Sequence, residues 1–192
     1  MLNGPGVKMR LRAGLASPIA LGTIRRVEQV LDDETKALYR RALGAFSTGV
    51  AVITVADGDK TVGLTVNSFT SLSLDPPLVL WCLGKASDRG VWFVEAERFV
   101  VNILGAEDAA LAAHCARRGE YFVPDDRLDL GRPGQPAVAS ALAHLYCSRH
   151  EHIALGDHVI LVSRVEAFES RRGDGLTYFR GRYGRALDPG EG

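Results

Sequence analysis

The chain has no paired cysteines, no long apolar run and no excess of charge. Cys82, Cys115 and Cys147 are odd in number and far apart, and no Cys-x-x-Cys occurs. This argues against a disulfide framework or a zinc knuckle and for reduced, buried thiols. The 23 Lys and Arg balance the 23 Asp and Glu. A chain without a basic field is not built to bind nucleic acid or an anionic membrane surface. No stretch approaches the ~20 apolar residues of a membrane span. The mildly apolar Ala13–Gly22 is interrupted by Pro18 and followed by Arg25-Arg26, which does not make a secretion signal. These absences point to a soluble, cytoplasmic protein.

Several nucleotide and nucleophile motifs are also missing. No Gly-x-Gly-x-x-Gly follows a strand pattern, and no Gly-x-Ser-x-Gly is present. Gly44 to Gly49 has the first six positions of a phosphate loop, but Val50 and Ala51 stand where Lys and Ser/Thr are required. His150 and His152 flank Glu151 on one expected strand, so both imidazoles share a face. A metal site needs at least one further ligand, and no spacing supplies it. Without a nucleophile or acid–base set, hydride transfer between two bound cofactors is a chemistry the chain can still serve, because it needs mainly alignment and a suitable field.

What is present fits one domain. The chain has 192 residues, 46% hydrophobic and 24% charged, which suffices for a single core. Residues 1–30 lack periodicity and read as a flexible N-terminal tail. Residues 31–185 read as the domain, and 186–192 as a flexible C-terminal tail. Asp32, Asp33 and Glu34 suit a helix start, and Leu38, Ala42, Leu43 and Phe46 recur at helical spacing, predicting a helix over 33–46. A hairpin is predicted from 50–55, through a Gly-containing turn at 56–60, to a strand from Thr61. Further strands are expected at 77–83 (covered on both faces), 99–104, 141–152, 158–168 and 176–180. Short helices are expected at 87–94 and 107–118, and residues 131–136 form a loop. Few helices and many hairpins predict a mainly β, antiparallel, Greek-key-like barrel rather than a doubly wound sheet.

The most informative run is Gly63-Leu64-Thr65-Val66-Asn67-Ser68-Phe69-Thr70-Ser71-Leu72-Ser73-Leu74-Asp75-Pro76-Pro77. Period-two alternation places Thr65 and Asn67 on one strand face and Val62, Leu64 and Val66 on the other. Uncharged donors and acceptors on a flat wall suit a planar, hydrogen-bonding ligand such as a flavin ring. The same residues could also simply end a strand and form a turn.

Taken with Phe46-Ser47-Thr48-Gly49-Val50, Phe99-Val100-Val101-Asn102-Ile103-Leu104, Gly156-Asp157-His158 and Tyr178-Phe179, this run resembles the flavin reductase family with the FMN-binding split-barrel fold. The stretches lie in order from about residue 40 to 183. The resemblance implies a homodimeric NAD(P)H:flavin oxidoreductase that reduces FAD or FMN and passes reduced flavin by diffusion to a partner monooxygenase. It implies flavin contacts from Thr48, Thr65, Asn67 and Ser68, with Ser71 towards the ribityl chain or phosphate. Lys85 and Ser87 match the phosphate-holding position, where a cation and a hydroxyl at a helix start can seat an anion. Ala86 and Asp88 flank that serine here, and a surface lysine with a serine cap explains the pair equally well. His158 of the Gly-Asp-His signature is implied beside the nicotinamide, as the one candidate catalytic residue, with Tyr183 walling the same side. A packed histidine and a packed tyrosine are the plain alternatives. Ser163 stands where the family has glycine.

Three other readings fit parts of the sequence. One is a flavin-binding protein of the same fold without reductase activity. Another is a pyridoxamine-phosphate-oxidase-like enzyme, although the Arg and Lys ligands of that group are not gathered here. The third is a metal protein built on His150 and His152.

Overall fold

A computed structural model describes residues 31–130, 132 and 134–190. The expected N-terminal tail, residues 1–30, lies outside the described residues. Helix α1 (Asp33–Leu43) starts where the Asp32 carboxylate accepts the Thr35 N–H at 2.7 Å. It ends at Gly44, three residues short of the expected helix end, because the Ala45 and Phe46 amides close a turn onto Ala42 and Leu43. No residue of α1 is buried, so its apolar stripe has no cover among the described residues.

Twelve strands follow, all paired antiparallel. They are β1 (Thr48–Gly49), β2 (Ala51–Asp57), β3 (Lys60–Val66), β4 (Thr70–Leu74), β5 (Pro77–Gly84) and β6 (Arg98–Ile103), then β7 (Leu128–Asp129), β8 (Ala137–Val138), β9 (Ala143–Leu155), β10 (His158–Ser170), β11 (Gly175–Phe179) and β12 (Arg182–Ala186). Helices α2 (Gly90–Glu95) and α3 (Ala109–Ala116) lie between β5 and β7. The main sheet has the order β3-β2-β6-β9-β10-β5-β4, and a second sheet has the order β1-β11-β12. The expected mainly β, antiparallel barrel is what forms, with twelve strands among the described residues where the sequence pattern predicts seven. β12 was not expected. It arises because Arg180-Gly181 turns the chain back on β11.

The turns explain the hairpins. Gly58 (φ 63°) reverses β2 into β3, and Gly156 (φ 56°) reverses β9 into β10 with His158 opposite Leu155. Glycine at the first central position of a two-residue loop matches the twist of the flanking strands. β5 was expected to be covered on both faces. Instead it alternates: Val79, Trp81 and Leu83 are buried, while Leu78, Leu80 and Cys82 are half-buried.

Two cores meet at β2. Ala51, Ile53 and Val55 face the barrel interior with Trp81, Phe93 and Phe99, whose rings meet edge-on at 5.6 and 5.9 Å. Val50 and Val52 face the other way, against Leu111, Ala112, Cys115 and Leu176. Between the layers, buried Asn102 donates to Val52 O (2.9 Å) and Thr54 Oγ1 (3.0 Å) and accepts from Val138 N–H at 2.8 Å. Burial pushes the Cys115 thiol up to about 11 and the Cys147 thiol up to about 12, so both stay protonated at neutral pH.

The outer edge of β3 is covered by residues 121–123. Gly63 N–H donates to Tyr121 O and Val123 N–H to Thr61 O, each at 2.9 Å. Buried Arg89 reaches the same place, donating to Gly63 O at 2.9 Å and to the carbonyls of Cys115 and Arg117 at the end of α3. At the other end of the chain, Asp188 accepts from Arg172 and from Gly173 N–H (3.1 Å) and donates its own N–H to Asp174. The expected flexible tail is thus tied down as far as Gly190.

Gly63 is required here by space. A methyl group on it would stand 2.6 Å from Val123 Cγ2 and 2.9 Å from Cys115 Sγ. Gly63→Ala is expected to cost about 1–3 kcal/mol in urea denaturation. An unchanged midpoint would contradict this packing.

Candidate flavin site

β3 and β4 follow one another in sequence yet occupy opposite edges of the seven-stranded sheet. Residues Asn67, Ser68 and Phe69 alone carry the chain from one edge to the other, so the sheet curls until its edges nearly meet. The site is built on this seam. On one side Thr65 Oγ1 donates to Ala112 O of α3 at 2.7 Å. On the other, Cys82 N–H donates to Ser68 Oγ at 3.0 Å.

The hydroxyls of Thr65 and Ser68, expected to face the ligand, each also make a hydrogen bond that holds the crossing in place. The single alternating strand read through Asn67 stops at Val66, and Asn67 lies beyond it, exposed. Its amide is left free to face a groove of about 540 Å³, shared with Arg40, Leu43, Phe46, Thr48, Tyr178 and Arg180. The Thr48 hydroxyl is buried there with no hydrogen-bond partner among the described residues. An orphaned hydroxyl and a free amide above Phe46 and Tyr178 make an amphipathic wall. A flat ligand with apolar faces and polar edges, as a flavin has, fits that wall.

The Gly-Asp-His turn docks at the end of β5. Lys85 N–H donates to Asp157 O at 2.9 Å, and Lys85 Nζ donates to Gly156 O at 2.8 Å. His158 pairs in register with Gly84, and a methyl group there would stand 3.8 Å from His158 Nε2. With Nδ1–H donated to Asp157 Oδ1 at 2.7 Å, Nε2 is the ring nitrogen left open. The hydrogen bond from His158, aided by its charge, holds the Asp157 carboxyl below the ordinary carboxylate range. That hold is present above the ordinary value and is lost only as pH falls through the lowered one.

The expected residues thus fall into two groups along one strand. Thr48 and Asn67 line the first groove. Lys85 and Ser87 line a second hollow of about 350 Å³ with Gly84, Val91 and Val159, beside His158. Ser87 Oγ there accepts the Arg89 N–H at 3.3 Å. The link is β5, since Ser68 holds Cys82 and Lys85 lies three residues further, about 10 Å by strand rise. Ser71 sits apart, exposed and opposite Val79 on β4. Tyr183 packs behind Tyr178 at 5.4 Å between ring centres rather than lining the groove. Tyr178 is the residue on the groove wall; the sequence singles it out within Tyr178-Phe179 but gives it no ligand role. Arg40 and Arg180 also went unrecognised, because nothing in their local sequence says that α1 and the β11–β12 turn face the same hollow. His150 and His152 lie on β9, and no group of three or more metal-ligating side chains is found among the described residues.

The flavin reductase like domain matches residues 43–187, and the chain belongs to that family. It is 42% identical over 154 residues to the NADH-dependent FMN reductase SmoA of Agrobacterium fabrum, covering 79% of this chain and 87% of that one. It is 34% identical over 157 residues to the reductase component of a 4-nitrophenol monooxygenase of Rhodococcus opacus, covering 82% and 84%. Among solved structures, the NADH:FAD oxidoreductase of Streptomyces globisporus, in complex with NAD and FAD fragments, superposes with a TM-score of 0.74 at 34% identity. That match covers 85% of this chain and all of the other. Two relatives from Rhizobium meliloti are longer, and the chain spans 47% and 63% of their length.

Two substitutions separate scaffold from ligand contact. Thr65→Val is expected to lower stability by about 1 kcal/mol, the worth of one hydrogen bond. Asn67→Ala is expected to leave stability within ±0.5 kcal/mol and to weaken flavin binding up to about tenfold in a fluorescence titration. Equal flavin affinity in wild type and Asn67→Ala would remove Asn67 from the site.

Proposed function

We propose that this chain is an NADH-dependent flavin reductase, taking FAD or FMN at the seam and releasing reduced flavin to a partner monooxygenase by diffusion. The observation that carries the reading is the convergence on β5. The seam crossing is bolted to Cys82 of β5, and the Gly-Asp-His turn is bolted to Lys85, three residues further and just past the end of that strand. One rigid strand therefore sets the distance between a flavin wall and a nicotinamide-side histidine. Proximity of this kind is the main contribution a protein makes to direct hydride transfer.

Bound flavin supplies the two-electron chemistry. The chain's own residues do the positioning. Asn67 offers its amide to a ring edge, and the unpartnered Thr48 hydroxyl donates to a polar atom of the ligand. Phe46 and Tyr178 cover an apolar face and exclude water. Lys85, at the mouth of the second hollow, brings a positive charge towards a phosphate, although its Nζ is also bonded to Gly156 O. His158 presents Nε2 towards the nicotinamide carboxamide, held in orientation by Asp157.

A homodimer completes this reading. α1 buries none of its residues among the described residues. Edge strand β4 exposes Leu72 at 50% and Leu74 at 90%, and Phe168 is 76% exposed. An uncovered apolar edge strand invites a second chain. A self-complementary contact would cover these surfaces, and sedimentation should find a dimer.

The direct test is to add NADH to protein with FAD or FMN and follow flavin-dependent loss of the reduced-nicotinamide absorbance. Turnover with either flavin supports the proposal, and no NADH oxidation with both overturns it. His158→Ala is expected to raise the KM for NADH about tenfold, the worth of one lost hydrogen bond, with little change in the KM for flavin. The reverse pattern would remove His158 from the nicotinamide side.

A further inference from the structure

The flavin groove adjoins a third hollow of about 940 Å³, and the two share Arg40, Ala42, Gly44 and Arg180 as common wall. Arg41, Ala45 and Gly181 complete this third hollow. Three arginines, Arg40, Arg41 and Arg180, thus edge a channel leading away from Asn67. None of the three is paired with a carboxylate among the described residues. Some other exposed arginines are paired, Arg149 with Glu97, Arg172 with Asp188, and Arg185 with Glu107 and Asp174, while Arg98, Arg164 and Arg182 also stand without a carboxylate partner among the described residues but line neither hollow. Among the described residues, the three guanidinium groups around this cavity have no carboxylate partner, and the positive field they set up is not cancelled by an ion pair.

Arg180 carries a second, independent observation. It is the one non-glycine residue with positive φ among the described residues, at 48°, and Gly181 follows at 80°. With Phe179 paired to Arg182, the two form the centre of a type I′ turn. That position favours Asn, Asp or Gly, and a long side chain there is disfavoured by sterics. The backbone is held by Arg180 N–H donating to Gly44 O at 2.9 Å, and the guanidinium lies 5.3 Å from the Phe179 ring centre. The turn would form more readily with Asn. The cost of keeping Arg is accounted for if its side chain is needed in the channel.

Resting on the flavin reductase reading above, we propose that Arg40, Arg41 and Arg180 form a seat for the diphosphate of a dinucleotide. The diphosphate would lie in the channel that runs on from the flavin wall. Planar guanidinium groups match phosphate oxygens in pairs, and a diphosphate offers enough oxygens to engage more than one of them. The same chemistry occurs in two molecules of the proposed reaction, the pyridine dinucleotide and FAD. FMN lacks it.

The test uses Arg180→Asn in the full chain. Asn is preferred at this turn position, so thermal stability is expected to be equal or higher, which excludes misfolding as a cause of lost binding. Calorimetric titrations with NAD+, FAD and FMN give a readout independent of turnover. The expected result is at least tenfold weaker binding of NAD+ or of FAD, with a clearly smaller loss for FMN, which shares the groove but has no diphosphate. Weakened NAD+ assigns the seat to the pyridine dinucleotide, and weakened FAD assigns it to the flavin adenylate. Unchanged affinity for both, or an equal loss for all three ligands, overturns the proposal. If wild type oxidises NADH with added flavin while Arg180→Asn binds as wild type does, the seat is wrong and the reductase reading stands. If wild type oxidises no NADH at all, the reductase reading itself fails.

Discussion

The crossing at Asn67-Ser68-Phe69 is the constraint on which the rest depends. Strands adjacent in sequence lie at opposite edges of the main sheet, so three residues must bridge the gap that an open sheet would leave. They can do so only if the sheet curls, and two hydrogen bonds hold the curl. Thr65 ties the end of β3 to α3, and Ser68 ties the start of the crossing to β5. Each is worth about 1 kcal/mol in the usual range. Together they hold the crossing that carries Asn67, and the proposed flavin contact depends on that placement more than on the stability the bonds add.

The seam explains why the site occurs where it does. A continuous sheet has no orphaned polar groups to offer a ligand, because its ladder consumes them. At the split, the ladder stops. Asn67 is left without a strand partner, and Thr48 keeps a buried hydroxyl with none. The second sheet supplies the aromatic floor through Tyr178. Members of the flavin reductase family share this domain, and the chain's match to it runs from residue 43 to 187, from the end of α1 to just beyond β12.

The sequence carried the hairpins plainly, because Gly58 and Gly156 sit where turns need positive φ and apolar alternation flanks them. It also carried Gly156-Asp157-His158 and the polar run around Asn67. It did not show which polar side chains of that run are free. The partner of Thr65 lies 47 residues away on α3 and that of Ser68 lies 14 residues away on β5. No local pattern encodes such contacts. The same applies to Asn102, read only as one residue of an apolar strand, which stitches β2, β6 and β8 through its amide. Helix α1 was legible as amphipathic, but periodicity cannot say whether the apolar stripe is covered by this chain or by another. Tyr178 and the groove-lining arginines were missed because a cavity between distant elements has no signature in any one of them.

The most direct measurement is a crystal structure of the protein soaked with FMN. The account predicts the isoalloxazine ring lying across Phe46 and Tyr178, with a polar edge within hydrogen-bond distance of the Asn67 amide and the Thr48 hydroxyl. The Thr65–Ala112 and Ser68–Cys82 bonds should remain intact. A ring seated away from the seam, or Thr65 and Ser68 released from those bonds to reach it, would contradict the account.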